Sequence, residues 1–258
     1  MPQLFKDHFS GVSDTYAQFR PRYPDALFSF LASLTPRCES AWDCATGSGQ
    51  AALPLVRFFR RVFASDASMR QVCMAMRRPG LHYFVAAAEA ICLGPASIDL
   101  VTVAQAMHWF DSHRFYAEVD RVLCPGGVLA VWSYGRLEVT PDAIQDLLDD
   151  FYNHTVGAYW PPERCWVEEG YASLDFPYDA LQAPNFTLTA EWTLNHLAGY
   201  LRTWSATQRF VKARGNDPVV DLIPKMALHW GDPQARRVMR WPIALRVGAK
   251  PPANGDGR

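Results

Sequence analysis

Residues 41–52 read AWDCATGSGQAA, with Gly47 and Gly49 two apart and Ala52 three further on. Glycines at this spacing let a chain turn sharply off a strand and let a ligand approach main-chain atoms closely. Sixteen residues past Gln50, the stretch RVFASD ends in Asp66, whose carboxylate can accept two hydrogen bonds from ribose hydroxyls. As a string this is GxGxxA followed by an acid, so an NAD-dependent oxidoreductase is one reading. Asp66 also has a plainer alternative, capping a helix that starts near Ser68.

Four further features favour S-adenosylmethionine, which has no pyrophosphate and needs hydrogen bonds for its amino acid end near the glycines. Asp43 stands four residues before Gly47, apt to hydrogen-bond the glycine loop. In AAAEA, residues 86–90, small residues ahead of an acid let an adenine ring lie against backbone. AQAMHWF, residues 104–110, brings Gln105 and Ala106 toward a methionine moiety, with His108 and Trp109 overhanging the methyl. YAQFRPRYP, residues 16–24, supplies Tyr16, Arg20 and Tyr23 ahead of the first helix. The bland alternatives are a solvated Glu89, a partnered core His108, and Arg20 and Arg202 as surface bases with buried stems.

These residues need strands and turns to hold them. Leu27, Phe28, Leu31 and Leu34 share a helical face over residues 24–34. SAWDCA then reads as a strand that runs into the glycine turn, and residues 50–60 read as a helix through Leu53, Val56 and Phe59. The alternation repeats: strand 61–66, helix 68–78, strand 81–87, strand 98–107, helix 113–123, and a turn plus strand at 124–134. Near-continuous apolar strands alternating with helices predict a doubly wound α/β domain with a parallel sheet covered on both faces. After Gly135 the spacing predicts a helix over 142–155, an aperiodic aromatic stretch, a strand over 185–193, a long helix through Leu197, Leu201, Trp204 and Val211, another at 217–230, and a last strand at 242–250. Trp160, Trp166, Trp192, Trp204, Trp230 and Trp241 are expected mostly in the core, with one or two walling an acceptor pocket.

Composition narrows the classes. With 25 basic and 26 acidic residues in 258, there is no global basic field to hold a nucleic-acid backbone. No apolar run nears the roughly 20 residues needed to cross a bilayer, and MPQLFKDHFSG lacks the charge and apolar pattern of a signal peptide. The expectation is a cytoplasmic protein acting on a small molecule, with no nucleic-acid or membrane partner. Six cysteines without a CxxC pair argue against a zinc site and fit reduced thiols.

Taken together, DCATGSGQ, ASDASMRQ, AAAEA, DLVTVAQAMHWFD and CPGGVLAVW resemble, in order, the segments of class I S-adenosylmethionine-dependent methyltransferases. The likeness is to the broad group of trans-aconitate and quinone-biosynthesis methyltransferases, and spans roughly residues 16–132. YxxxRPxYP resembles a segment that closes over the cofactor, and GYLRTWSA, with Arg202, resembles a cap helix of the trans-aconitate branch. The resemblance implies a Rossmann-like, mostly parallel seven-stranded sheet with an antiparallel C-terminal strand and helical cap insertions. It divides the chain into a lid and helix (1–35), a cofactor-binding core (36–135), a cap region with late core elements (136–241), a final strand (242–250) and a disordered tail (251–258). By the same resemblance Gly47 and Gly49 line the methionine end, Asp66 binds the ribose, and Ser68 and Met69 flank the adenosine. Ala88 and Glu89 lie near the adenine, Gln105 lies by the methionine carboxylate or amine, and Tyr16, Arg20 and Tyr23 lid the site. One departure stands out. Ala45 replaces the first glycine of DxGxGxG, which is tolerated if the backbone there keeps a negative φ.

The implied reaction is an in-line displacement. A carboxylate acceptor needs cations such as Arg20 or Arg202 to place it and no base. A hydroxyl or ring nitrogen would use His108 as base. A methyltransferase-like binding protein without catalysis, motivated by Ala45, is a third reading.

Overall fold

A computed structural model describes residues 19–252 of the chain. Tyr16, most of the expected lid, the amino-terminal stretch free of signal features, and residues 253–258 of the expected tail lie outside the described residues.

Strand β1 (Ser40–Cys44) is buried along its whole length, and its alternate side chains serve two layers. Ala41 packs in one core with Leu27, Phe28 and Leu31 of helix α1 (Asp25–Leu34). Trp42 and Cys44 face the opposite core. After the glycine turn come α2 (Ala52–Leu55), β2 (Arg61–Asp66), α3 (Met69–Met74), β3 (Leu81–Val85) and β4 (Ile98–Ala104). A 3-10 turn, Met107–Trp109, leads into α4 (Ser112–Val122), whose Phe115, Val119 and Val122 join Trp42 in the second core. β5 (Leu123–Tyr134) follows directly.

The remainder comprises β6 (Glu138–Val139), α5 (Asp142–Asp150), a π-helical turn (Phe151–Thr155), α6 (Arg164–Glu168), β7 (Phe186–Trp192), α7 (Leu194–Arg202), α8 (Ser205–Arg214), α9 (Val219–Trp230) and β8 (Arg237–Ala249). The sheet runs β3-β2-β1-β4-β5-β8-β6, with β7 also paired to β8. β1 to β5 are mutually parallel and β8 is antiparallel to all its partners. The fold is thus the expected doubly wound one, with eight strands among the described residues where seven were expected, because the two-residue β6 adds an edge.

Several boundaries differ from the periodic reading. α2 is one turn, not the helix expected over 50–60, although Phe59 is still buried. α3 stops at Met74, ahead of Arg77, Arg78 and Pro79. β8 begins at Arg237, since its first half pairs with β7 and its second with β5. The long helix expected through Val211 is two helices, broken at Thr203 and Trp204, where Trp204 turns extended at ψ 136°. Leu197, Leu201 and Trp204 are buried, whereas Val211 is exposed, so the period called it inward across a break that shifts the phase.

At the amino ends of β1 and β4, buried Asp99 holds the Arg37 guanidinium and the amides of Glu39 and Ser40, each amide at 3.0 Å. This clamp fixes the strand pair from below, at the end away from the glycine turn.

Candidate functional site

Sheet register brings the expected residues to one rim. Cys44 pairs with Ser65 and with Val103, and Asp66 pairs with Val85. Ala45, Asp66, Ala86 and Gln105 therefore emerge at the carboxyl ends of four adjacent strands. β1 is where the strand order reverses, with β2 on one side and β4 on the other, and ligands of open α/β sheets bind in the crevice at such a point.

Asp66 organises this rim. One carboxylate oxygen accepts from the Gly47 amide and the other from the Ser68 amide, both at 2.8 Å. It does not cap α3 through its own side chain. Ser68 does, accepting from the Gln71 amide at 3.5 Å. Asp43 lies beneath, 1% exposed, accepting from Thr46 Oγ1 at 2.6 Å and Thr102 Oγ1 at 2.7 Å. It thus ties the glycine loop to β4 from inside. Burial pushes its carboxyl up to about 6, against the lowering effect of the two hydroxyls. Gly49 is buried at φ +86°, and a Cβ there would collide with Tyr83 Oη and lie 3.2 Å from Tyr83 Cζ. Tyr83, from β3, is held by its hydroxyl on the Met76 carbonyl at 3.2 Å.

Ala45 overturns the condition attached to it: its φ is +53°, not negative. The left-handed region costs a non-glycine residue about 1–2 kcal/mol, and Gln105, on the neighbouring strand end, adopts φ +59° as well. Two strained non-glycine residues thus flank the crevice, where such strain tends to collect. Ala45→Gly is expected to raise stability by about 0.5–1 kcal/mol after the entropy that glycine adds to the unfolded chain is subtracted. Thermal melting should shift upward by roughly 1–4 °C, and a downward shift would contradict the assignment of strain.

The other expected residues are distributed as follows. Gln105 donates from its backbone to the Trp132 carbonyl at 2.9 Å and from Nε2 to the Tyr134 carbonyl at 3.5 Å. Ala106 and Ala88 are buried, and Met69 is 62% exposed. Glu89 is not a merely solvated acid, since its Oε1 accepts from the Asp111 amide at 3.0 Å. Buried Tyr23 packs edge-on against Trp132 at 5.5 Å. Arg20 donates to Tyr134 Oη at 2.7 Å and to the Thr203 carbonyl at 3.2 Å, over the Tyr200 ring. Arg202 is paired with Asp217 at 2.6 Å, which neutralises the charge that would orient an anion.

His108, from the turn after β4, sits against Trp109 with ring centroids 4.5 Å apart, and its Nδ1 is 2.9 Å from Tyr171 Oη. Burial, reinforced by the positive charge of Arg164, lowers its pKa to about 4. The ring is therefore neutral at pH 7 and a weak proton acceptor. Its depressed value means the unfolded chain, near 6.5, takes up the proton first as pH falls, so His108 withdraws stability between about pH 6.5 and 4. Asp43 acts with the opposite sign. Raised from 3.8 to about 6, it adds stability as pH falls through that window. Urea unfolding at about pH 7.5 and pH 4.5 should show His108→Gln losing less stability on acidification than the parent, and Asp43→Asn losing more. Equal pH dependence in all three proteins would refute both assignments.

Sequence reasoning missed Tyr171, Arg164, Arg136 and Tyr152. Tyr171 and Arg164 lie in the aperiodic aromatic stretch, where neither helical nor strand period marks an inward face; Tyr152 lies in the helix expected over 142–155, and Arg136 in the loop after β5. α6 packs on the Met107–Trp109 turn, and Ser133 Oγ donates to the Val167 carbonyl at 3.3 Å, fixing α6 to the end of β5. Trp160 lines a cavity of about 310 Å³ here, whereas Trp192, Trp204, Trp230 and Trp241 belong to the core.

Comparison with known proteins agrees with this geometry. The profile of the family described as "Methyltransferase domain" matches residues 42–131, from β1 through most of β5. A presumed methyltransferase of Dictyostelium discoideum is 34% identical over 224 residues, covering 86% of this chain and 85% of its own. A presumed S-adenosylmethionine-dependent methyltransferase of Saccharomyces cerevisiae is 26% identical over 253 residues, covering 84% of this chain and 87% of its own. The solved structure of a presumed type II methyltransferase from Anaeromyxobacter dehalogenans is 43% identical, with a TM-score of 0.86, over 90% of this chain and 99% of that one. The chain belongs to the class I S-adenosylmethionine-dependent methyltransferases.

Proposed function

We propose that this chain transfers the methyl group of S-adenosylmethionine to a small-molecule acceptor, releasing S-adenosylhomocysteine. The observation that carries the reading is the Asp66 carboxylate drawing the Gly47 and Ser68 amides together at the point of strand reversal. Gly49 supports the fit, because any side chain there would fill the close approach between the loop and Tyr83. The single-turn α2 supports it too: four residues sum little dipole for a pyrophosphate, and this cofactor has none. The description of the Saccharomyces relative points to the same cofactor.

When bound, S-adenosylmethionine supplies a methyl on a sulfonium sulfur, which keeps the electron pair of the broken C–S bond. Asp66 is the acceptor for the ribose hydroxyls, a carboxylate oxygen being able to accept more than one hydrogen bond. Gly47 and Gln105 take the amino acid end, and Ser68, Met69, Ala88 and Glu89 flank the adenosine. Trp109 and His108 cover the reacting side and exclude water. Alignment of this kind contributes on the order of 7–11 kcal/mol. His108, with a pKa near 4, suits an acceptor that needs little help losing a proton. Among the described residues no helix is long and apolar enough to cross a membrane.

Calorimetry is expected to show saturable binding of S-adenosylmethionine and S-adenosylhomocysteine and none of NADH. Failure to bind either sulfur compound would overturn the proposal. Incubation with methyl-labelled S-adenosylmethionine and a metabolite extract, followed by mass identification of the labelled product, then names the acceptor.

A further inference from the structure

His108 stands three positions beyond Gln105, on the Met107–Trp109 turn that continues from the carboxyl end of β4. Its two ring nitrogens meet different surroundings. Nδ1 is 2.9 Å from Tyr171 Oη. Nε2 has no partner among the described residues, yet it is not one of the sealed polar atoms that lack one, so it opens to solvent. Which nitrogen carries the proton decides whether the open one is a base or a donor.

Tyr171 makes that choice. Its side chain is wholly buried, and the Met107 amide directs its hydrogen at the same phenolic oxygen. With an N–H already pointing at Oη, the hydroxyl hydrogen has Nδ1 as its acceptor. The other tautomer would aim two N–H groups at Oη and leave the buried hydroxyl hydrogen without an acceptor. A buried donor left unsatisfied disfavours that form by about tenfold or more. Burial and Arg164 keep the ring neutral at pH 7, and burial keeps the phenol protonated, so neither group escapes by ionising.

The hydroxyl is firmly placed. Tyr171 adopts φ +62°, left-handed for a residue with a Cβ, directly after Gly170 at the same φ. A Cβ on Gly170 would lie 2.5 Å from Ala244 Cβ, so the close approach to β8 requires glycine there. The Tyr171 amide donates to the Trp166 carbonyl at 2.8 Å, and its carbonyl accepts from Arg246 Nη1 at 2.6 Å. Its ring lies within 27° of the His108 plane, while Trp109 packs on His108 at 4.5 Å. Backbone strain retained beside a crevice tends to mark a function.

We propose that Tyr171 is a positioning residue that locks His108 as the Nε2-protonated tautomer, so that His108 offers the methyl acceptor a hydrogen-bond donor and not a base. This rests on the methyltransferase reading above. It selects an acceptor that presents a lone pair to Nε2–H beside the atom to be methylated. In the transfer, a lone pair of the acceptor bonds to the methyl carbon as the C–S bond breaks, sulfur keeps the electron pair, and any proton the acceptor carries leaves to water. The acceptor loses negative charge along this path, so the donor orients it and does not speed the chemical step.

Long-range proton–nitrogen correlation spectra of the histidine rings test this on the nitrogen-15-labelled full chain at pH 7, with the His108 signals identified by their loss in His108→Gln. The wild-type protein is expected to show Nε2 protonated and Nδ1 not, with under about a tenth of the other form. Tyr171→Phe keeps the ring and removes the hydroxyl, and should raise the Nδ1-protonated fraction at least about threefold. Saturation with S-adenosylhomocysteine should shift the His108 Nε2 signal. Nδ1 protonated in the wild type, an unchanged ratio in a folded Tyr171→Phe, or S-adenosylhomocysteine binding that leaves His108 unmoved would each overturn the proposal. The wild-type spectra decide both tautomer and placement even if the variant folds poorly. Should S-adenosylhomocysteine move no signal anywhere in the chain, the methyltransferase reading falls, and the role at the acceptor with it.

Discussion

Gly49→Ala is expected to destabilise the protein by about 2–5 kcal/mol and to abolish measurable binding of S-adenosylmethionine. Two separate terms add. At φ +86° an L-residue is strained by about 1–2 kcal/mol. The new Cβ also meets the Tyr83 hydroxyl, and forced overlap in a packed site costs about 1–3 kcal/mol. Tyr83 cannot swing away freely, because its hydroxyl is anchored on the Met76 carbonyl and its ring is half-buried in β3. Thermal melting should fall by roughly 5–15 °C. The double variant with Tyr83→Phe separates the terms: it removes the overlap with the hydroxyl, leaving the ring carbon at 3.2 Å, but not the backbone strain, so only part of the loss should return. Full recovery would show that φ at this position carries no penalty, and no recovery would show that Tyr83 is not the obstacle.

Asp66→Ala is the second large effect, and it should appear mainly in cofactor affinity, with a loss of about a hundredfold or more. The carboxylate has two jobs that the same substitution removes. It holds the Gly47 and Ser68 amides, each a hydrogen bond to a charged acceptor worth about 1.5–3 kcal/mol. In the proposed function it also accepts from the ribose. Asp66→Asn keeps one acceptor oxygen and presents an NH₂ where the second amide expects a partner, so its affinity should lie between those of the alanine variant and the parent. Calorimetry with S-adenosylhomocysteine measures both. An alanine variant that binds within threefold of the parent, about 0.7 kcal/mol, would remove Asp66 from the cofactor site.

The first half of the chain was legible because its information is local. SAWDC, RVFASD and IDLVTVA are short apolar runs bounded by turn residues, and each became a buried parallel strand. The glycine spacing and Asp66 then fell into place through sheet register alone. Helix lengths were less legible. Leu53, Val56 and Phe59 repeat at helical spacing, yet only one turn of α2 forms; the apolar period records which side chains face inward, and Phe59 does so from a turn. Trp204 likewise satisfies the period from the break between two helices.

Backbone strain was not legible at all. Nothing in the letters DCATGSG says that Ala45 sits at φ +53°, since alanine is at ease in the commoner negative region and only the geometry of the turn imposes the other. The surroundings of the arginines were not legible for a related reason. Arg20 and Arg202 were singled out by their segments, but a guanidinium's availability depends on whether a partner such as Tyr134 or Asp217 stands within reach.

The sequence by itself determined the doubly wound sheet, its crevice and the acid that organises the crevice, because strand burial and turn chemistry are written in neighbouring residues. Only the tertiary structure decided what packs against the turn after β4. Tyr171 meets His108 across 63 positions of chain, and Arg164 arrives with it on α6, a segment with no period to announce its inward face. Contacts of that separation are set by how helices dock on the finished sheet, so no local pattern records them.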